Sequence, residues 1–404
     1  MNSPFSAPFA KDSDRDFQVR CLLGLAPAGG AEIGEVLAAV RDVRDAAPGP
    51  WGAMWRALGD RVARQGADAL TAGRRRSGAA ASLRAADYLA LAVEAAAAGT
   101  DEATIADAFA AHRAAWDAFA ENAPYSMVRI GVPCGDVVMP GHLFLSGDGP
   151  RPTVVFVNGS DGSISSEWGT GAAAALERGY HAFLFDGPGQ QSLLFEHGVP
   201  FLPDWTPVLG AVIDALCARA EVDPERLVCW GISQGGYWVP QALAGEHRFA
   251  AAVADPGVVD VSASWTASMP PSMLRLLEKG EHDRLDREMR MGMRMSSSLE
   301  HTWRFRSRPL GGGSPSEVLR RVRDYRFDAD HAARIDTPML ITSPEGEQFW
   351  PGQSELLASW IPSGARMLPF TAAEGADLHC EPLARTLVHE RVLDAPDDLL
   401  PVRG

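Results

Sequence analysis

The chain has 404 residues, 46% hydrophobic and 22% charged, an ordinary composition for a globular protein long enough for two domains or one with an insertion. A formal net charge of −15 opposes binding to nucleic acid or to an anionic membrane, and neither is expected as a partner. No apolar stretch approaches the roughly 20 residues that span a bilayer, the polar start lacks a signal-peptide pattern, and five scattered cysteines form no C-x-x-C pair. The cytoplasm is therefore the expected compartment, with no metal and no cofactor.

Residues 1–17 read as a flexible tail and 18–123 as an all-helical N-terminal (cap) domain. In that helical segment Ile33, Val36, Leu37, Val40 and Val43 fall on one helical face. Pro48 and Pro50 punctuate the join to a second helix from Trp51 to Ala72. A third helix spans Ala79 to Ala98, and a fourth starts at Thr100-Asp101-Glu102. Near Pro124 the period changes to that of strands. Met127–Val132 and Val137–Leu145 read as a hairpin turning at Gly135-Asp136.

Residues 124–404 then alternate apolar runs with helical stretches. Strands are expected at Thr153–Val157, His181–Phe185, Arg226–Trp230, Ala250–Val253, Met339–Thr342 and Arg366–Phe370, with helices at Thr170–Arg178 and Thr206–Ala220. Continuous apolar runs of this length suit strands buried on both faces, so the expected class is α/β with a mostly parallel central sheet. A methionine-rich segment, about 261–336, interrupts the alternation and reads as a helical lid insertion, whose methionines would suit an adaptable apolar pocket or plain helix packing.

Gly231-Ile232-Ser233-Gln234-Gly235 lies between a strand and a helix, the setting of a G-x-S-x-G nucleophile elbow. The glycines leave room where the chain turns sharply, and Ser233 becomes the candidate nucleophile. A serine needs a base, and the base needs an orienting acid. Among ten histidines, His379 sits best, in a small-residue loop after the last strand. The acid is sought after Met339–Thr342, where Glu347 is favoured over Glu345, and Asp255 is a third candidate. An oxyanion hole needs two backbone N–H groups. Gln234 supplies one, and Ser160 or Asp161 in the Asn158–Gly162 loop the other. The loop Asp186–Gln190 has neither nucleotide-binding glycine pattern.

Together GISQGG, VNGSDG, FDGPGQ, SPEGEQFWPGQ and EGADLHCE resemble α/β-hydrolases. More narrowly they resemble the branch with an N-terminal helical domain, which includes 2,6-dihydroxypseudooxynicotine hydrolase, FrsA-like proteins and fungal polyketide-shortening hydrolases of the yellowish-green pigment type. The resemblance covers nearly the whole chain. It implies an α/β-hydrolase fold, a Ser233–acid–His379 triad, a site roofed by the N-terminal helices and a homodimer. It also implies cleavage of an ester, an amide, or the carbon–carbon bond of a β-diketone or acyl side chain. Two positions depart from it: Glu347 stands where many relatives have Asp, and Gln191 where they often have Gly.

The expected function is thus a serine hydrolase acting on a small acyl compound, a polyketide or another aromatic secondary metabolite. The alternative is a non-hydrolytic member of the fold: a cyclase, an acyltransferase or a ligand-binding protein.

Overall fold

The computed structural model describes residues 8–362 and 364–394. Among the described residues, eight strands form one sheet in the order β1-β2-β4-β3-β5-β6-β7-β8. β1 (Ser126–Cys134) and β2 (Val137–Leu145) make the expected hairpin, and β2 runs antiparallel to β4 (His181–Phe185). Every other pairing is parallel: β3 (Arg151–Val157) lies between β4 and β5 (Val222–Ile232), followed by β6 (Ala251–Asp255), β7 (Met339–Pro344) and β8 (Ala365–Phe370). This is the α/β-hydrolase fold with a mostly parallel sheet.

The apolar runs become central strands because both faces of the sheet are covered. Val154 and Phe156 pack into one core with Val228 and Trp230, while Val155 and Val157 pack into the other with Leu227 and Cys229. Successive side chains alternate in direction, so a strand buried on both sides needs an unbroken apolar sequence. Burying each large side chain contributes about 1.5–3 kcal/mol.

Helices α1 (Ser13–Gly24), α2 (Ile33–Val40), α3 (Pro48–Thr71), α4 (Arg75–Ala97) and α5 (Glu102–Asn122) precede the sheet. Pro48 occupies the first turn of α3, where a missing N–H costs nothing, and the Asp101 side chain caps α5 by accepting from Ala103 N. Trp55, Trp116 and Phe119 from these helices share one core with Phe144, Phe156 and Trp230 of the sheet. Arg113 of α5 pairs with Asp186 just beyond β4. The helical third is therefore packed directly on one sheet face.

Two expectations change here. The helix α1 begins within the segment read as a tail, and residues 1–7 of that segment lie outside the described residues. Asp12 caps α1 by accepting from Asp14 N and Arg15 N, and Val19 and Leu22 are buried. In α2, Val36 and Val40 are buried, but Ile33 and Leu37 are 52% and 42% exposed, and the helix ends before Val43.

The expected helix at Thr170–Arg178 starts earlier, as Ile164–Glu167, passes through one π-helical turn (Trp168–Ala172) and continues as Ala173–Glu177. The 261–336 insertion is helical, with Pro271–Glu278, His282–Met295, Ser297–Ser307 and Pro315–Val322 as its longer helices. Its methionines do not form the pocket. Met269, Met273 and Met289 pack against Leu276, Leu277, Leu285 and Leu319, while Met291 and Met295 face outward. Among the described residues, no helix is long and apolar enough to cross a membrane.

Candidate active site

Ser233 stands between the end of β5 and the helix Gly235–Leu243, with φ 55°. A non-glycine residue in this region is strained, and the surroundings must hold it there. Ser233 N donates to Asp255 O at 2.7 Å, and Gly236 N donates to Ser233 O at 2.8 Å. The turn also requires a close approach, since a Cβ on Gly235 would lie 2.3 Å from Val157 O. The elbow glycine is there because β3 passes directly against it.

His379 comes from the loop after β8 and is 4% exposed. Its Nε2 lies 2.9 Å from Ser233 Oγ and its Nδ1 lies 2.8 Å from Glu347 Oε2. An ionised carboxylate only accepts, so Nδ1 carries the ring proton, and Nε2 presents its lone pair to the serine hydroxyl. Glu347 Oε1 accepts from Phe349 N at 2.8 Å and Trp350 N at 3.1 Å. Burial by itself would raise the Glu347 carboxyl. The adjacent His379 ring and these two N–H donors outweigh it and hold the group below the usual glutamate value. Phe349 and Trp350 flank the imidazole at 4.8 and 5.4 Å between centroids, and Gln348 Oε1 accepts from His379 N at 2.8 Å.

The other two candidate acids lie elsewhere. Glu345 is exposed, and its Oε2 accepts from Ala372 N at 3.0 Å. Asp255 is fully buried beneath the elbow, where Oδ2 pairs with Arg385 Nη1 at 2.9 Å and Oδ1 accepts from Thr342 Oγ1 at 3.0 Å. Burial opposes its ionisation, but the Arg385 guanidinium keeps the carboxyl below the usual aspartate value. Arg385 also donates to Cys380 O at 2.9 Å and Thr170 O at 2.6 Å. One buried guanidinium thus ties the elbow, the histidine loop and the π-helical turn together. Cys380 and Glu381, at φ 56° and 43°, are held in the left-handed region in that loop.

The Asn158–Gly162 loop approaches from the end of β3. The nearest glycine is Gly159, where a Cβ would lie 2.8 Å from Ser233 Cβ. Asn158 turns the loop, accepting from Gly159 N at 2.8 Å and donating to Ser163 O at 2.8 Å. Gln190, last residue of the FDGPGQ motif, donates from Nε2 to Asn158 O at 2.8 Å and accepts from Gly187 N at 2.9 Å. Sequence reasoning excluded nucleotide binding for that motif without giving it a role, and here it braces the loop opposite the serine. Ser160, Asp161 and Gln234 line the same cavity as Ser233 and His379. The Asp161 side chain is open to this cavity yet deep inside the molecule, and desolvation raises its carboxyl.

That cavity has a volume of about 300 Å³. Its walls come from α1 (Phe17, Gln18), α3 (Trp51), α4 (Asp87, Leu91, Glu94) and the insertion (Trp265, His301, Phe305, Arg306). The first helix is joined to the insertion: Asp12 accepts from Ser298 Oγ, and Asp14 Oδ2 accepts from Thr302 Oγ1 at 3.0 Å. Neither Glu94 nor Arg385 was found from sequence. Glu94 has the spacing of a core-facing helix position, and only its charge there signals something unusual.

The comparisons agree with this architecture. The prolyl oligopeptidase family matches residues 209–307. The hydrolyase ccsE of Aspergillus clavatus is 29% identical over 355 residues, covering 81% of each chain. The hydrolase LUC6 of a Fusarium species is 27% identical over 411 residues, covering 96% of this chain and 97% of its own. The 20-hydroxy-prefusarin hydrolase FUS2 of Gibberella moniliformis is 28% identical, covering 81% of each. Among solved structures, 2,6-dihydroxy-pseudo-oxynicotine hydrolase superposes with a TM-score of 0.72 at 17% identity, covering 94% of this chain and 96% of its own. The chain is thus a hydrolase with the α/β-hydrolase fold, similar in sequence to these fungal hydrolases.

Proposed function

We propose that the chain is a serine hydrolase that cleaves an ester or a carbon–carbon bond in a small acyl compound, such as a polyketide or other aromatic secondary metabolite. The observation that carries this is the unbroken contact from Glu347 through His379 to Ser233, at 2.8 and 2.9 Å, made by groups from three separate loops. Ser233 Oγ attacks a carbonyl carbon while His379 Nε2 takes its proton, and Glu347 holds the ring and offsets the charge of the imidazolium. The developing oxyanion is held by Gln234 N–H and an N–H of Ser160 or Asp161. The leaving group departs, and water activated by His379 then releases the acyl group and restores Ser233.

In this proposal residues 18–123 act as a cap and the 261–336 insertion as a lid. The cavity they enclose suits a small molecule better than a polypeptide. A homodimer belongs to the proposal on the strength of the family resemblance, and a cytoplasmic location on the scattered, unpatterned cysteines.

Intact-protein mass after treatment with a fluorophosphonate tests the nucleophile. Wild type is expected to gain one adduct, Ser233→Ala none, and His379→Ala only a slow one. A wild type that stays unlabelled while hydrolysing small esters would refute Ser233 as an activated nucleophile.

A further inference from the structure

Glu94 has no part in the triad, yet it occupies the cavity roof in a defined orientation. Trp51 Nε1 is a donor only, and it donates to Gln18 Oε1 at 3.1 Å. That contact turns the Gln18 amide so that its Nε2 donates to Glu94 Oε1. The first oxygen of Glu94 is thereby fixed as an acceptor. Among the described residues nothing hydrogen-bonds the second, on a side chain that lines the same cavity as Ser233 and His379. A proton on this carboxyl therefore sits on the free oxygen.

The surroundings favour that proton. Burial, reinforced by Asp161 from the loop after β3 and Asp14 from α1, pushes Glu94 up to about 8, against the opposing charge of Arg306 from the insertion. Arg15 of α1, His301 of the insertion and Asp87, two turns earlier on α4, line the same cavity. Asp87 is itself pushed up to about 8 by burial, so a second carboxyl on this helix face stays neutral near pH 7.

We propose that Glu94 is the acid that protonates the carbon leaving group when this site cleaves the carbon–carbon bond of a β-dicarbonyl compound. The proposal rests on Ser233 being the nucleophile. When Ser233 has added to one carbonyl of such a compound, collapse of the adduct re-forms that carbonyl as the acyl-enzyme and breaks the bond to the central carbon. The electron pair leaves as an enolate, and Glu94 gives it a proton. The proton taken by His379 from Ser233 returns to the Glu94 carboxylate through water. His379 is then free to take a proton from the water that hydrolyses the acyl-enzyme, and passes that proton to the departing Ser233 oxygen. The sum is one dicarbonyl plus one water, giving one acid and one ketone. An ester with a good leaving group has no carbanion to protonate and does not call on Glu94.

The test compares 2,2-dimethyl-1-phenylbutane-1,3-dione, which has no acidic hydrogen on its central carbon, with p-nitrophenyl acetate on the full chain. In wild type, cleavage of the dione falls as pH rises through about 8, where Glu94 loses its proton, and ester hydrolysis shows no such limb. In Glu94→Gln the ratio of dione to ester turnover falls on the order of 100-fold, as expected for loss of a general acid, and the limb disappears. Fluorophosphonate labelling of Ser233 shows that the variant is folded and separates the two proposals. Failure of wild type to label overturns the nucleophile itself. A labelled wild type that cleaves the ester but not the dione overturns the role of Glu94. So does a Glu94→Gln protein with an unchanged ratio, or one that keeps the alkaline limb.

Discussion

Replacing Glu347 by Gln tests the proposed triad acid with almost no change of shape. Glu347 Oε1 accepts two backbone N–H groups, from Phe349 at 2.8 Å and Trp350 at 3.1 Å. An amide nitrogen cannot accept them, so the glutamine carbonyl takes this position and its NH₂ faces His379 Nδ1. Nδ1 must then accept, the ring proton moves to Nε2, and the ring loses the lone pair aimed at Ser233 Oγ, 2.9 Å away. A wrong tautomer of this kind costs on the order of 10⁴ in kcat, about 5.4 kcal/mol of barrier at 1.36 kcal/mol per tenfold. The exposed Glu345 provides the control. Its Oε2 contact is to Ala372 N, and a surface change of about 0.5 kcal/mol or less gives roughly a twofold effect. Turnover of p-nitrophenyl acetate and the rate of fluorophosphonate labelling measure both, with thermal melting as a check on folding. The reasoning is refuted if Glu347→Gln stays within tenfold of wild type, or if Glu345→Gln is the more damaging of the two.

Two further outcomes follow from packing and burial. In Gly159→Ala the new Cβ would lie 2.8 Å from Ser233 Cβ and 3.2 Å from Ser233 Oγ, so the loop must move away from the nucleophile. An ångström of misplacement costs on the order of 100-fold, and ester kcat/KM should fall by that order while the fold persists; a fully active variant would show that the loop takes no part. Asp87 keeps its proton up to about pH 8 in the folded protein but loses it near the ordinary aspartate value of 3.8 when unfolded. Its contribution is therefore present below the unfolded value and declines as pH rises through the interval to about 8. Asp87→Asn cannot ionise, so urea unfolding at pH 5 and at pH 8.5 should favour the variant progressively more at the higher pH, and a pH-independent difference would exclude this.

What the sequence by itself determined was local. A G-x-S-x-G between a strand and a helix has one compatible backbone, because β3 and the chain around Ser233 leave no room for side chains at the glycines. The central strands were legible because burial on both faces demands unbroken apolar runs such as Thr153–Val157. The order of the serine, acid and histidine loops came from the chain order known for the fold to which that alternation pointed.

Other features arise only from groups distant in the chain. Sequence favoured Glu347 over Glu345 but left both open, and what separates them is that the turn ahead of Trp350 aims one carboxylate at His379 and leaves the other at the surface. α1 showed no apolar stripe because much of its holding comes from polar contacts: Asp12 to Ser298, and Asp14 to Thr302, 288 residues away. Arg385 reads as an ordinary charged residue at the start of a helix until Asp255, Cys380 and Thr170 converge on it. Glu94 sits where helical periodicity expects an apolar side chain, and its chemistry exists only once Gln18, Trp51 and Asp161 come together around the cavity. Pattern along a chain reveals which residues are buried. Which buried polar groups meet is decided by the packing of elements that the sequence holds far apart.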